Sequence, residues 1–433
     1  MNALLVLSAL YHLASPHADA SMGDKVDQFL APIARANEFS GVVLVRKDGK
    51  VLLRKPFGSA YREFAVPNGS DTKFLIGSIS KQFTAAAVLL LASEGKLRLE
   101  DHLSRFVPQF PSAELITIRQ MLSHRSGISR DLPDDVLMSP HTTREMVDII
   151  AKMPLVFAPG TDEAYSNNAY RVLAYIIEQC SGDGYGEFIT DHFFKPLKMN
   201  DSGDLDGVAV VKGLATGYVP GFSKDGLDHP TFADISNGRG PGSIYSTVDD
   251  LAKWAEDFIR DGKLYPGIRD EMIKGDLGVI TERKHGKDVV WHNGEYRGFT
   301  SFVEEYPNDR VTIVYLGNIE TFASLTPVQT AIDSIVMGDR YEPFVPRPRG
   351  GPTEGPDADG YVGTYTFSPT LSIQVAKVGG WLAISANPLE RVSGDQYFFR
   401  LKYADVLFKR DGAGKVVGMD WREAGHTYPA KKT

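Results

Sequence analysis

At residues 78–84 the chain reads Ser78-Ile-Ser-Lys81-Gln-Phe-Thr84, a serine followed three positions later by a lysine at the head of an apolar helical stretch. On a helix, positions i and i+3 share a face, so the amine of Lys81 reaches the hydroxyl of Ser78. A serine hydroxyl attacks only when a neighbour takes its proton, and the positive end of a helix favours a neutral, proton-accepting lysine. The spacing suggests an acylating serine with an amine as its base. Taken alone, Ser-x-x-Lys is a frequent chance pattern, and a helix-capping Ser78 with Lys81 reaching to solvent is the competing explanation. The run that follows, Ala85-Ala-Ala-Val-Leu-Leu-Leu-Ala92, is apolar on nearly every side, as in a helix buried at a domain centre. A lysine entering such a helix needs a reason.

Two further clusters supply polar groups at element ends. Pro159-Gly160 leads through a loop to Tyr165-Ser-Asn167, just before another apolar-periodic helix, and Val289-Val-Trp-His292-Asn-Gly294-Glu295 closes a strand-like run. Singly, Tyr165 is an ordinary half-buried aromatic, Asn167 a turn residue and His292 a core histidine. As an ordered set of Ser-x-x-Lys, Tyr-x-Asn and His-x-Gly, they resemble the beta-lactamase-related serine hydrolases. That superfamily includes class C beta-lactamases, D,D-carboxypeptidases, D-aminopeptidases and related esterases. Gly41-Val-Val-Leu-Val45, Leu122-Ser-His-Arg-Ser-Gly127, Pro196-Leu-Lys-Met199 and the segment from Gly242 to Trp254 look like its framework, so the likeness spans roughly residues 35 to 320.

The resemblance implies roles residue by residue. Ser78 is the expected nucleophile and Lys81 its proton acceptor. Tyr165 is expected to protonate the leaving group and afterwards to activate water, the latter best as a phenolate held near Lys81. Asn167 is expected to bond substrate and lysine, while His292 and Gly294 line the opposite side of the cleft. Backbone N–H groups of Ser78 and Glu295 are the expected oxyanion donors. His124, in a framework-like segment, is read as structural. Class C beta-lactamases carry Lys-Thr-Gly where this chain has His292-Asn-Gly294, and an imidazole, with a reference pKa near ~6.5, is mostly neutral at pH 7. The departure favours an esterase or peptidase acting on small esters, amides or short peptides, with beta-lactam hydrolysis as the alternative main activity. The Glu295 side chain then reads a cationic amine, or Arg297 instead restores a carboxylate site. A non-catalytic penicillin-binding-like scaffold is the alternative of another class, but it would have no need for Ser78, Lys81 and Tyr165 together.

The elements that hold these groups follow from punctuation. Gly41–Val45 and Val51–Arg54 around Asp48-Gly49 read as a hairpin, and helical patterns dominate from about 79 to 260. Strand-like runs at 288–292, 299–306 and 310–317 would join the hairpin in one antiparallel sheet. The fold class is therefore mixed α/β (α+β): a beta-lactamase/transpeptidase-like antiparallel sheet flanked by helices, with an all-helical region. We divide the chain into 1–20, 21–342 (hydrolase domain), a Pro/Gly-rich linker at 343–358, and 359–433. The last segment has six short alternating runs, from Tyr361–Tyr365 to Val416–Trp421, suggesting a small up-and-down β-barrel. Its Tyr361-Val-Gly-Thr-Tyr365 opening is similar to the lipocalin-like domain of some D-aminopeptidase-type relatives, where it can cover the cleft or mediate assembly.

At 433 residues, 42% hydrophobic, the chain can bury a large core, and 47 basic against 55 acidic residues with no basic run indicate neither nucleic acid nor an anionic membrane surface. Residues 1–14 form a short apolar core followed by Ala18-Asp-Ala20, as in a secretory signal peptide, so export with a chain starting near Ser21 is expected. No later stretch is apolar enough to span a membrane. Cys180 is the only cysteine and reads as a buried, inert thiol. No zinc-like spacing or glycine-rich phosphate loop occurs, so no metal or organic cofactor is inferred.

Overall fold

The computed structural model describes residues 21–353, 358–368, 371–423 and 425–433; the expected export signal at 1–20 lies outside them. Helix α1 (Met22–Arg35) begins at Ser21, whose hydroxyl accepts the Asp24 N–H while the Asp24 carboxylate bonds back to the Ser21 N–H. Strands β1 (Gly41–Lys47) and β2 (Lys50–Phe57) form the anticipated hairpin. With β3 (Ile280–Lys284), β4 (Lys287–Tyr296), β5 (Phe299–Tyr306) and β6 (Val311–Gly317) they make an antiparallel sheet of order β3-β4-β5-β6-β1-β2. The edge strand β3 escapes the sequence pattern because Ile280-Thr-Glu-Arg-Lys284 is mostly exposed and carries little apolar signal.

Strand period sorts the sheet into two faces. Val42, Leu44, Val314 and Leu316 point into the helical region, which contains α2 (Ser80–Ser93) and α3 (Asn167–Ser181). Val43, Val45, Ile313 and Tyr315 point the other way, beneath α1 and α4 (Phe322–Met337). Helix α2 is buried on every side from Ser80 to Leu91, each large apolar side chain contributing about 1.5–3 kcal/mol on burial. It runs through the centre of the domain, as its all-round apolar character requires. Cys180, near the end of α3, is half-buried rather than buried, and burial still pushes its thiol pKa up, so the thiol stays protonated.

The C-terminal segment closes into an eight-stranded antiparallel barrel. Its strands are β7 (Gly363–Ser368), β8 (Leu371–Val378), β9 (Trp381–Ile384), β10 (Asn387–Ser393), β11 (Gln396–Phe399), β12 (Ala404–Arg410), β13 (Val416–Glu423) and β14 (His426–Lys432). Pairing of Tyr365 with Lys432 and Thr366 with Lys431 seals it, so no edge is left open. Strands β10 and β14 were not among the six runs read from sequence, because each contains a proline and charged residues that break the alternation.

Residues 343–353 run without regular structure but are tied down: the Arg391 N–H donates to the Gly351 carbonyl (3.0 Å), and Arg347 pairs with Asp405. Arg400 joins the barrel to the rest of the chain. Its guanidinium donates to both oxygens of Glu390 (2.6 and 2.7 Å) and to Glu38 beside β1. Glu38, Glu390 and Arg400 are exposed by only 1%, 1% and 2%. No helix among the described residues is long and apolar enough to cross a membrane.

Candidate active site

Ser78 does not lie within the α-helix, as its spacing had implied, but in the 3-10 turn Gly77–Ile79 just before α2. Gly77 makes that turn possible, since its φ of +50° is costly for any residue with a side chain and a Cβ there would stand 2.8 Å from the Glu295 nitrogen. The same observation brings the backbone of Glu295 against the turn that carries Ser78, so the N–H groups of Ser78 and Glu295 are neighbours. Gly294 supports this approach: a Cβ on it would meet the Ile76 carbonyl at 2.1 Å, and the Ser301 hydroxyl donates to that carbonyl at 2.9 Å. The absence of a side chain at Gly294 thus lets the strand pack against the nucleophile turn.

Lys81 is fully buried, one helical turn beyond Ser78. Its Nζ lies 3.1 Å from Ser78 Oγ and donates to Asn167 Oδ1 at 2.7 Å and to the Pro241 carbonyl at 3.2 Å. Burial, reinforced by the Arg171 guanidinium, pulls its pKa well below the ordinary lysine value. A neutral amine has two N–H bonds and one lone pair, so with Asn167 and Pro241 taking the hydrogens the lone pair is left for the Ser78 hydroxyl. Asn167 cannot turn over freely, because its Nδ2 donates to Asp131 Oδ1 at 2.8 Å.

Tyr165 reaches the pair from the loop before α3. The Lys81 Nζ stands 4.7 Å from its ring centroid, and its hydroxyl is in hydrogen-bonding contact with Ser78. Burial drives its pKa up to about 12, and the bond with Ser78 only partly opposes this. The phenolate anticipated from sequence gives way to a protonated phenol, because desolvation disfavours the anion and the bond with Ser78 offsets only part of that cost. Burial thus disfavours the charged form of both groups, which suits the amine to accept a proton and the phenol to donate one.

His292 is 4% exposed and has its Nδ1 2.5 Å from the Asn293 carbonyl, which fixes the proton on that nitrogen. Burial and the nearby Lys81 lower its pKa to about 4, so it carries no charge at neutral pH.

A cleft of about 750 Å³ opens over Ser78 and Asn167. Its wall includes the backbone around Glu295, the rim residues Met138 and Phe232, and, from the barrel, Ser385, Ala386, Asn387 and Leu401. Among the described residues that line it, Asp131, Asp134, Asp135, Asp228, Glu295 and Glu320 outnumber Arg171 and Arg297, and the Lys402 ammonium stands 4.0 Å from the Glu295 carboxylate. Arg171 is buried and spent on Asn237, Asn168 and Asp131, while Arg297 stands 3.7 Å from Asp134. Sequence reading missed Asp131, Arg171 and Pro241, whose contact with the site exists only in three dimensions, and no local pattern announces them. The barrel turn was equally invisible. Among the described residues no group of His, Cys, Asp and Glu side chains is arranged to hold a metal ion.

A turn-borne serine beside a buried lysine whose pKa is lowered and a phenol can form and break an acyl bond with its own proton relay. The Bacillus subtilis protein PbpX is 33% identical over 241 residues, 56% of this chain and 59% of that protein, so the chain spans less than two thirds of PbpX. A penicillin-binding protein of Bacillus subtilis is 28% identical over 421 residues, covering 87% of this chain and 91% of that protein. The solved structure of an octameric penicillin-binding protein homologue from Pyrococcus abyssi superposes with a TM-score of 0.63 at 25% identity, covering 94% of this chain and 99% of that one. Together with the match of residues 26–335 to the beta-lactamase family model, these findings make the chain a member of the beta-lactamase family of serine hydrolases.

Proposed function

We propose that the protein is a serine hydrolase that works through an acyl-enzyme on small esters or amides bearing a cationic amine. The observation that carries the reading is the fully buried Lys81, 3.1 Å from Ser78 Oγ with its other polar contacts already made. Ser78 Oγ attacks the substrate carbonyl as its proton passes to Lys81 Nζ, and the oxyanion is held by the N–H groups of Ser78 and Glu295. The C–O or C–N bond breaks as the Tyr165 phenol protonates the leaving group, and Lys81 returns its proton to Tyr165. Water then attacks the ester on Ser78 by the reverse relay, regenerating the enzyme and releasing the acid. Preference for an amine rests on the cleft's excess of carboxylates and on an uncharged His292 where a beta-lactamase has lysine. Tyrosine and lysine tuning of this kind would have no use in a binding scaffold.

A fluorophosphonate probe followed by a substrate panel tests this. Covalent labelling is expected in the native protein and absent in Ser78→Ala. Short esters and amides with a free amine are expected to exceed their N-acylated counterparts at least tenfold in kcat/KM. No labelling of well-folded protein, or efficient cephalosporin turnover without ester or amide cleavage, overturns the proposal. We also propose export, on the apolar core and Ala18-Asp-Ala20 of the first twenty residues. Mass spectrometry of envelope fractions should find a chain beginning near Ser21; an uncut chain starting at Met1 in the cytosol refutes it.

A further inference from the structure

His124 belongs to a segment that reads as framework, yet it touches the chain on both sides of Tyr165. The Ala164 N–H donates to the His124 carbonyl at 3.0 Å, and the Ser166 N–H donates to its ring Nδ1 at 3.1 Å. Between these two bonds the imidazole lies against the Tyr165 ring, with centroids 4.4 Å apart and planes inclined by 31°. Its other flank meets Tyr170 at 5.3 Å, and the Tyr170 hydroxyl donates to the Leu122 carbonyl at 2.8 Å, tying the stack back to the same segment. To make these contacts His124 takes a φ of +58°, a left-handed conformation that a side-chain-bearing residue adopts only when its surroundings require it.

We infer that His124 is a positioning residue that fixes Tyr165 over Ser78 by bonding the backbone before and after it and stacking on its ring. The inference rests on the proposed acyl-enzyme role of Tyr165. Accepting the Ser166 N–H requires a bare Nδ1, so the ring proton sits on Nε2 and the imidazole is neutral. Burial and the nearby Lys81 lower its pKa to about 3, which keeps that nitrogen bare throughout the neutral range. No local signal in the sequence assigns this task. Leu122-Ser-His-Arg-Ser-Gly127 and Tyr165 are some forty residues apart, and a loop preceding a helix has few bonds of its own to hold a catalytic phenol within a few tenths of an ångström.

Two substitutions separate the acceptor from the ring. Asparagine carries an oxygen at the same distance along the side chain as Nδ1 and tolerates positive φ, so His124→Asn keeps the bond to Ser166 and loses the stack. His124→Phe keeps the stack and loses the bond. Turnover of a short p-nitrophenyl ester is measured per active site, with the site concentration fixed by fluorophosphonate titration, in both variants and in each combined with Tyr165→Phe. The expected result is a kcat about a hundredfold lower in His124→Phe with KM unchanged, and a fall of less than tenfold in His124→Asn. In the Tyr165→Phe background neither change is expected to lower kcat by more than about twofold, since the group being positioned is gone. Losses that are equal with and without the Tyr165 hydroxyl, or a His124→Phe enzyme within twofold of the parent, overturn the inference alone. Should His124→Phe not fold, the cycle between His124→Asn and Tyr165→Phe decides by the same criterion. Failure of the parent protein to label at Ser78 overturns this inference and the proposed function together.

Discussion

Lys81 can serve as a base only because its surroundings strip it of its proton, and that requirement is specific to an amine. In Lys81→Arg the guanidinium keeps its proton at any working pH, so kcat should fall by about 10²–10⁴ even though a long hydrogen-bonding side chain is retained. A stopped-flow acylation rate with a chromogenic ester checks this, and a rate within tenfold of the parent would contradict it. Histidine burial has a separate consequence for stability. His292 is held neutral with a pKa of about 4, whereas the unfolded chain takes up that proton below about pH 6.5. The stabilisation is therefore complete above about pH 6.5 and is lost as pH falls toward 4. Thermal melts of Ser78→Ala should show Tm dropping across that window, and His292→Asn should flatten the drop. At this scale the sequence was most legible where chemistry is local. Ser78 and Lys81 are one turn apart and declare themselves, whereas Asp131 reaches Asn167, and His124 reaches Tyr165, only after some forty residues of chain have folded back.

Elements were legible where one residue pattern meets one environment. Helix α2 is buried all round and reads as such; β6 is buried along its whole length and is apolar but for Thr312 and its terminal glycine, while β5, equally buried, carries Glu304 and Glu305. Strands β3, β10 and β14 lie at an edge or in a small barrel, where exposed faces, proline and charge hide the period of two. The turn between β9 and β10 shows what a sequence pattern cannot: Ser385 and Ala386 both take positive φ, 47° and 63°, in a two-residue connection that asparagine and glycine fill at lower cost. Replacing Ser385-Ala386 by Asn-Gly should raise stability by about 1–2 kcal/mol in urea titration. Destabilisation, or no change, would mean that the turn is not held in the left-handed region. Because the turn lines the cleft, the same variant should shift preference among substrates of different length while leaving the rate of fluorophosphonate labelling unchanged.

At the scale of the molecule, the two parts are joined by charge as much as by apolar surface. Arg400 sits between Glu38 and Glu390 with almost no access to water, and removing it takes the paired cation from Glu38 and leaves Glu390 only Arg349, at 3.5 Å. Arg400→Met should cost about 3–5 kcal/mol in equilibrium unfolding, far more than loss of an exposed pair such as Lys195 with Asp191. The double replacement Glu38→Gln with Arg400→Met should recover part of that loss, and strict additivity would argue against direct coupling. The C-terminal barrel was visible as a series of short alternating runs, but this cross-link was not, since Glu38 and Arg400 are 362 positions apart.

The wall that Ser385, Ala386 and Asn387 contribute has an evolutionary meaning. The groups that cut the bond and one of the loops that greets the substrate are inherited on separate stretches of the gene, so diet and machinery can change independently. A lineage could re-aim such an enzyme by editing a hairpin tip, leaving the catalytic apparatus as it found it.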